Sequence, residues 1–183
     1  MNKSKYIISL AVAILLTAAD QLTKYIVVNK LEFRECRSVI KDFFYIHYVR
    51  NTGSAFSLFA DKSWGIYMLS AFSLIMAVVI AFYTFKALRL SKISVAVSGL
   101  LLTVGAVGNL IDRIRLKYVI DFLRFDFGSY TFPIFNVADI CAVCGTILLI
   151  AVIIFKGHEV EVLFAKERPS DKNIKEAPDE TSL

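Results

Sequence analysis

MLSAFSLIMAVVIAFYTF, residues Met68–Phe85, decides the fold. The stretch carries no charge, and only Ser70, Ser73, Tyr83 and Thr84 interrupt it. A helix on a soluble domain would alternate a polar face with an apolar one at 3.6-residue spacing, and this one has no polar face. Extended back to Trp64, it is long enough for the about 20 helical residues that cross a bilayer. Three further runs of the same kind flank it, at Tyr6–Val28, Ile93–Ile111 and Phe135–Phe155. The chain as a whole is 57% hydrophobic, with a mean hydropathy of +0.62. The expectation is an α-helical integral membrane protein with four transmembrane helices.

The first run follows Lys3 and Lys5, as a secretory signal does. However, it continues past the length of such a signal, with Asp20 and Lys24 where a cleavage site would lie, so it is read as a retained span. The net charge of +5 is scattered around the spans with no basic, aromatic-interleaved patch, which argues against a nucleic-acid partner. Three cysteines make no disulfide framework. The Cys141-x-x-Cys144 spacing falls inside the fourth run, where small buried side chains are the better reading. His47 and His158 are isolated, so neither a metal nor a cofactor is expected.

Four spans place both termini on one side. The short connector Lys86–Lys92 holds Lys86, Arg89 and Lys92, which assigns that side to the cytoplasm. The outer loops then cover about residues 29–63 and 115–134. In the first, Phe43–Val49 reads as a strand, Asn51-Thr52-Gly53-Ser54 as a turn and Ala55–Phe59 as a returning strand. In the second, Val119–Phe127 alternates and Gly128-Ser129 turns it into Tyr130–Phe132. A small sheet or cradle built from both loops is expected, with Trp64 and Tyr67 in an interfacial belt. Residues 1–158 form the membrane domain, and 159–183 a charged, disordered cytoplasmic tail.

Asp20, Asp112, Asp121 and Asp139 lie in or at the ends of these runs. A carboxylate near hydrocarbon costs about 2.5 kcal/mol or more, so each requires a partner, a cavity or a chemical role. Asp20 and Lys24 share a helix face and read as an ion pair. Asp112 stands beside Arg113 and Arg115 and reads as paired with them. Asn109 and Arg113 serve either as hydrogen-bond donors to peptide carbonyls or as simple helix caps. Gly105-Ala106-Val107-Gly108 permits close helix approach. Asp121 sits among apolar neighbours, where desolvation raises a carboxyl pKa and favours the neutral acid. Asp139 follows Asn136 by three residues, a capping-box spacing that places a negative charge at a helix N-terminus. Two carboxyls so placed suit either a hydrolytic dyad or an ion or proton relay through the membrane, with a non-enzymatic scaffold as the blander reading.

The pieces Asp20-Gln21-Leu22-Thr23-Lys24, Asn51-Thr52-Gly53-Ser54-Ala55-Phe56, Gly108-Asn109-Leu110-Ile111-Asp112-Arg113, Val119-Ile120-Asp121-Phe122 and Phe135-Asn136-Val137-Ala138-Asp139, in this order between four spans, resemble the signal peptidase II family of bacterial membrane aspartyl proteases. The resemblance runs from about Tyr6 to Phe155. Ser54 and Ile140 depart from residues common in that family, without removing a chemical group. The resemblance implies that Asp121 and Asp139 are the catalytic pair and that Asn51, Gly53, Phe56, Asn109, Arg113 and Asn136 line the substrate site. Asp20, Lys24 and Asp112 would support it. It also implies an endopeptidase that cuts diacylglyceryl-modified prolipoproteins before the lipidated cysteine. The enzyme would be a monomer among membrane lipids of the bacterial inner membrane, with its active site near the extracytoplasmic surface.

Overall fold

The computed structural model describes residues 3–53 and 65–165. The four apolar runs are helices α1 (Ser4–Lys30), α2 (Gly65–Arg89), α3 (Ile93–Leu116) and α4 (Val137–Phe164), each long and apolar enough to cross a membrane. Between α1 and α2 lie strands β1 (Cys36–Ile40) and β2 (Phe44–Asn51). Between α3 and α4 lie β3 (Val119–Phe127) and β4 (Tyr130–Thr131). The strands form one antiparallel sheet in the order β1-β2-β3-β4, so the β2–β3 pairing joins the loop after α1 to the loop after α3.

α3 is the central helix and packs on α1, α2 and α4, most extensively on α4 and α2. Close approach is possible because α3 carries small residues. A Cβ at Gly105 would lie 2.7 Å from the Ala138 carbonyl oxygen, and one at Gly108 would lie 2.8 Å from both Ala138 Cβ and Asp20 Oδ2. α1 buries only Asp20, Lys24 and Val27, so it meets the rest of the protein through its polar positions rather than an apolar stripe. The outward faces of all four helices are apolar and exposed, as a lipid-facing surface requires.

Both faces of β3 are buried over its first four residues, where Val119, Ile120, Asp121 and Phe122 are all enclosed. Ile120 and Phe122 join Val27 and Tyr48 in an apolar cluster, and that packing holds the sheet against the top of α1. Between Ile46 and Val49, β2 spans three residues while β3 spans two, from Leu123 to Asp121. This bulge sits directly across from the Asp121 region and twists the sheet there.

Three details differ from the expectations. β1 adds a strand on the N-terminal side of β2, while the expected returning strand at Ala55–Phe59, together with Phe56 and Trp64, lies outside the described residues. α4 continues past residue 158 to Phe164 through a non-helical Lys156, and Leu163 is buried in the cluster between α2 and α3. Of the C-x-x-C pair, Cys141 is buried but Cys144 is exposed on the helix surface.

Candidate active site

The site forms where the C-terminal end of α3 and the N-terminal end of α4 meet β3. Asp121 comes from the sheet and is 3% exposed, whereas Asp139 comes from the first turn of α4 and is partly buried. Asn136 links the two carboxyls. As the N-cap of α4 it completes a capping box with Asp139: its Oδ1 accepts from the Asp139 amide at 2.9 Å, and its own amide donates to Asp139 Oδ2 at 3.1 Å. Its Nδ2 then donates to Asp121 Oδ1 at 2.7 Å. The cap that starts the helix is therefore also the bridge between the carboxyls.

Two more amides complete the carboxyl environment. Asn51 Nδ2 donates to Asp121 Oδ2 at 2.8 Å, and Asn109 Nδ2 donates to Asp139 Oδ1 at 2.7 Å. An amide's oxygen and nitrogen are assigned by their partners, and here each oxygen meets a group that can only donate. Asn51 Oδ1 accepts from the Gly53 amide at 2.8 Å, and Asn109 Oδ1 accepts from Lys24 Nζ at 3.1 Å. Gly53 itself sits at φ +95, a left-handed turn that glycine adopts without strain.

Behind the pair lies a buried charge cluster. Lys24 Nζ is 2.9 Å from Asp20 Oδ2 and 2.9 Å from Asp112 Oδ2. The Asp20–Lys24 pairing is as expected, but Asp112 pairs with Lys24 and not with Arg113 or Arg115. For Arg113 the reason is helical geometry, since adjacent residues point about 100° apart and do not face each other, whereas Arg115, three residues on, reaches Gln21 Oε1 at 3.5 Å instead. Arg113 instead donates from Nη1 to Ser73 Oγ on α2 at 3.3 Å, and its Nε is buried without a hydrogen-bond partner. The charges acting on its guanidinium are those of Asp139, Asp121 and Asp112.

Burial pushes the Asp121 carboxyl up to about 6, and the charge of Asp139 adds to the rise. The hydrogen bonds from Asn51 and Asn136 and the charge of Lys24 oppose it. The arrangement therefore offers two linked carboxyls of unequal burial, with an arginine beside them whose Nε has no partner. Such a pair can activate water and protonate a leaving group. Of the expected site residues, the structure brings together Asp121, Asp139, Asn51, Asn109 and Asn136, with Arg113 facing them, Gly53 orienting Asn51, and Asp20, Lys24 and Asp112 behind. Phe56 lies outside the described residues. Gln21 and Ser73 were assigned no role from sequence, although a polar residue inside an apolar span is itself a sign of a polar partner.

Four helices able to cross a membrane, with two linked carboxyls at one end, are the arrangement that a multi-pass aspartic membrane hydrolase requires. The family model for signal peptidase (SPase) II matches residues 12–155. A lipoprotein signal peptidase of Francisella tularensis subsp. mediasiatica is 42% identical over 155 residues, covering 84% of this chain and 93% of the relative. That of Clostridium tetani is 38% identical over 148 residues, covering 80% and 92%. A bacterial membrane enzyme solved by the in meso method at 1.9 Å superposes with a TM-score of 0.71 at 29% identity, covering 81% of this chain and 93% of that one. The chain belongs to the signal peptidase II family and is a bacterial membrane protease. The relay reading finds no support in these relatives.

Proposed function

We propose that this chain removes signal peptides from diacylglyceryl-modified prolipoproteins by hydrolysing the peptide bond before the lipidated cysteine. The observation that carries the reading is the Asn136 bridge, which holds Asp121 and Asp139 together at the outer end of the apolar helices. A substrate whose signal helix and acyl chains both reside in lipid presents its scissile bond at that depth. Asp139, the more accessible carboxyl, takes a proton from water as the water attacks the carbonyl carbon. Neutral Asp121 donates a hydrogen bond to the carbonyl oxygen as negative charge develops there. The proton held by Asp139 then passes to the leaving amine. Arg113, whose Nε has no hydrogen-bond partner, holds a substrate backbone carbonyl together with Asn109. Gly53, just after β2, borders the substrate, and the family resemblance assigns Phe56 to the substrate as well.

The active site lies on the extracytoplasmic side with both termini in the cytoplasm, a reading supported by Lys86, Arg89 and Lys92 in the short α2–α3 connector. The chain acts as a monomer surrounded by membrane lipid. The test is to incubate the purified protein in detergent with a diacylglyceryl-modified prolipoprotein and follow its size. Wild type shortens the substrate by the signal peptide, while Asp121→Asn and Asp139→Asn each leave it intact. Processing that persists in either variant removes that aspartate from the chemistry.

A further inference from the structure

The two supporting aspartates hold corresponding backbone positions. Asp112 Oδ2 accepts from the amide of Ile120 at 3.1 Å, and Asp20 Oδ1 accepts from the amide of Ala138 at 2.8 Å. Ile120 immediately precedes Asp121, and Ala138 immediately precedes Asp139. Each supporting carboxylate therefore grips the chain one residue upstream of one member of the pair. What fixes the two grips relative to each other comes from a single turn of α1. Lys24 Nζ spans both carboxylates, and Gln21 Nε2 spans them again, at 3.1 Å from Asp20 Oδ2 and 3.1 Å from Asp112 Oδ1, with the Gly108 carbonyl at 3.2 Å. One ammonium between two buried carboxylates leaves a net negative charge, so a second, neutral donor between them opposes their repulsion. Arg115 Nη1 reaches Gln21 Oε1 at 3.5 Å, which holds the amide nitrogen toward the carboxylates.

We propose that Gln21 is a positioning residue which, with Lys24, sets the separation of Asp121 and Asp139 through the backbone amides of Ile120 and Ala138. This rests on the reading of those two aspartates as the catalytic pair. Gln21 acts through Asp20 and Asp112, not on the substrate. Two interacting carboxyls titrate in two steps whose spacing reflects their mutual charge, and that interaction falls with distance. The charged groups around the pair are Arg113 and Asp112 from α3 and Lys24 and Asp20 from α1. Gln21→Met changes none of these charges and nearly preserves side-chain volume, so a shift in the titration of the pair reports geometry.

The full chain in detergent is assayed on a diacylglyceryl-modified prolipoprotein across pH, with folding followed by thermal melting. Gln21→Met is expected to lower kcat by about ten- to a hundredfold, since small misplacements of reacting groups carry costs of that order, and to leave KM within about twofold. The acid and alkaline limbs of its kcat profile are expected to move toward each other. Gln21→Asn, one methylene too short to span both carboxylates, carries the same expectations should the methionine variant not fold. Folded variants with wild-type kcat and unmoved limbs overturn the proposal, as does a lower melting temperature with the limbs unmoved. Asp121→Asn and Asp139→Asn with Gln21 intact separate the two ideas: processing by either removes the catalytic pair itself, whatever Gln21 does.

Discussion

Asn136 does two jobs that a substitution can separate. Its oxygen caps α4, worth about 1 kcal/mol when such a cap is replaced by alanine, and its nitrogen bonds Asp121 at 2.7 Å. Serine is as good a cap but has no amide nitrogen. Asn136→Ser is therefore expected to melt within a few degrees of wild type while losing about a hundredfold in kcat, the order that misplacing a reacting group costs. Equal losses in Asn136→Ser and Asn136→Ala, with neither destabilised, would remove the cap from the account. Asp121 gives a second prediction, from its value of about 6. The folded state holds this proton up to about 6 and the unfolded chain only to about 4. Stability thus falls as pH rises between those values and levels off above them, and unfolding in detergent should show that slope in wild type but not in Asp121→Asn. If Asp121 acts as the neutral partner, kcat/KM falls above about 6, and a rise through the same value exchanges the roles of the two aspartates. At this scale the sequence was most legible where a residue's needs are local. Asp20–Lys24 and Asn136–Asp139 follow from helical spacing. The Asp112–Lys24 pair and the Gln21 bridge cross between α1 and α3, so no spacing reveals them, and neighbouring arginines offered Asp112 the wrong partners.

Elements were legible to the extent that one face was buried. β3 announced itself by alternation and apolar content, but its first four residues are all enclosed, because helices and loop cover both of its faces there. β1 is exposed at every position, so no pattern marks it, and it exists only because β2 offers an edge to pair with. α4 outran its apolar stretch because Leu163 finds a buried seat and Lys86 Nζ bonds the Leu163 carbonyl, contacts that depend on where α2 stands. The small-residue stretch of α3 does what its composition suggested. At Gly108, an added methyl would meet Ala138 Cβ and Asp20 Oδ2 at 2.8 Å. Gly108→Ala is expected to cost about 1–3 kcal/mol by overpacking and to lower activity further by wedging Asp20 away from the Ala138 amide. Adding Ala138→Gly removes one of the two clashes and should recover part of the lost stability, but not activity, since Asp20 remains displaced. Gly108→Ala that unfolds like wild type in a detergent–denaturant titration would show that α1 and α4 yield freely at this point.

For the molecule as a whole, the helices supply depth and the sheet supplies one carboxyl, so the pair exists only when the loops after α1 and α3 stand on the same side of the membrane. The β2–β3 pairing enforces this, because it ties the loop after α1 to the loop after α3. Which side of the membrane that is can be read from the protein's own cysteines. Cys36 is exposed on β1, Cys141 is buried, and Cys144 is exposed only on the lipid-facing flank of α4. A thiol reacts as the thiolate, which forms readily in water and is suppressed in hydrocarbon. A membrane-impermeant maleimide added to intact spheroplasts should therefore label wild type, and Cys36→Ser should abolish that labelling. Labelling of Cys36 that appears only after the membrane is breached would place the sheet, and with it Asp121 and Asp139, in the cytoplasm. A prolipoprotein that has already been exported could not then reach the pair. Labelling from outside, combined with loss of processing in Asp121→Asn, puts the chemistry on the face where a diacylglyceryl-modified cysteine resides.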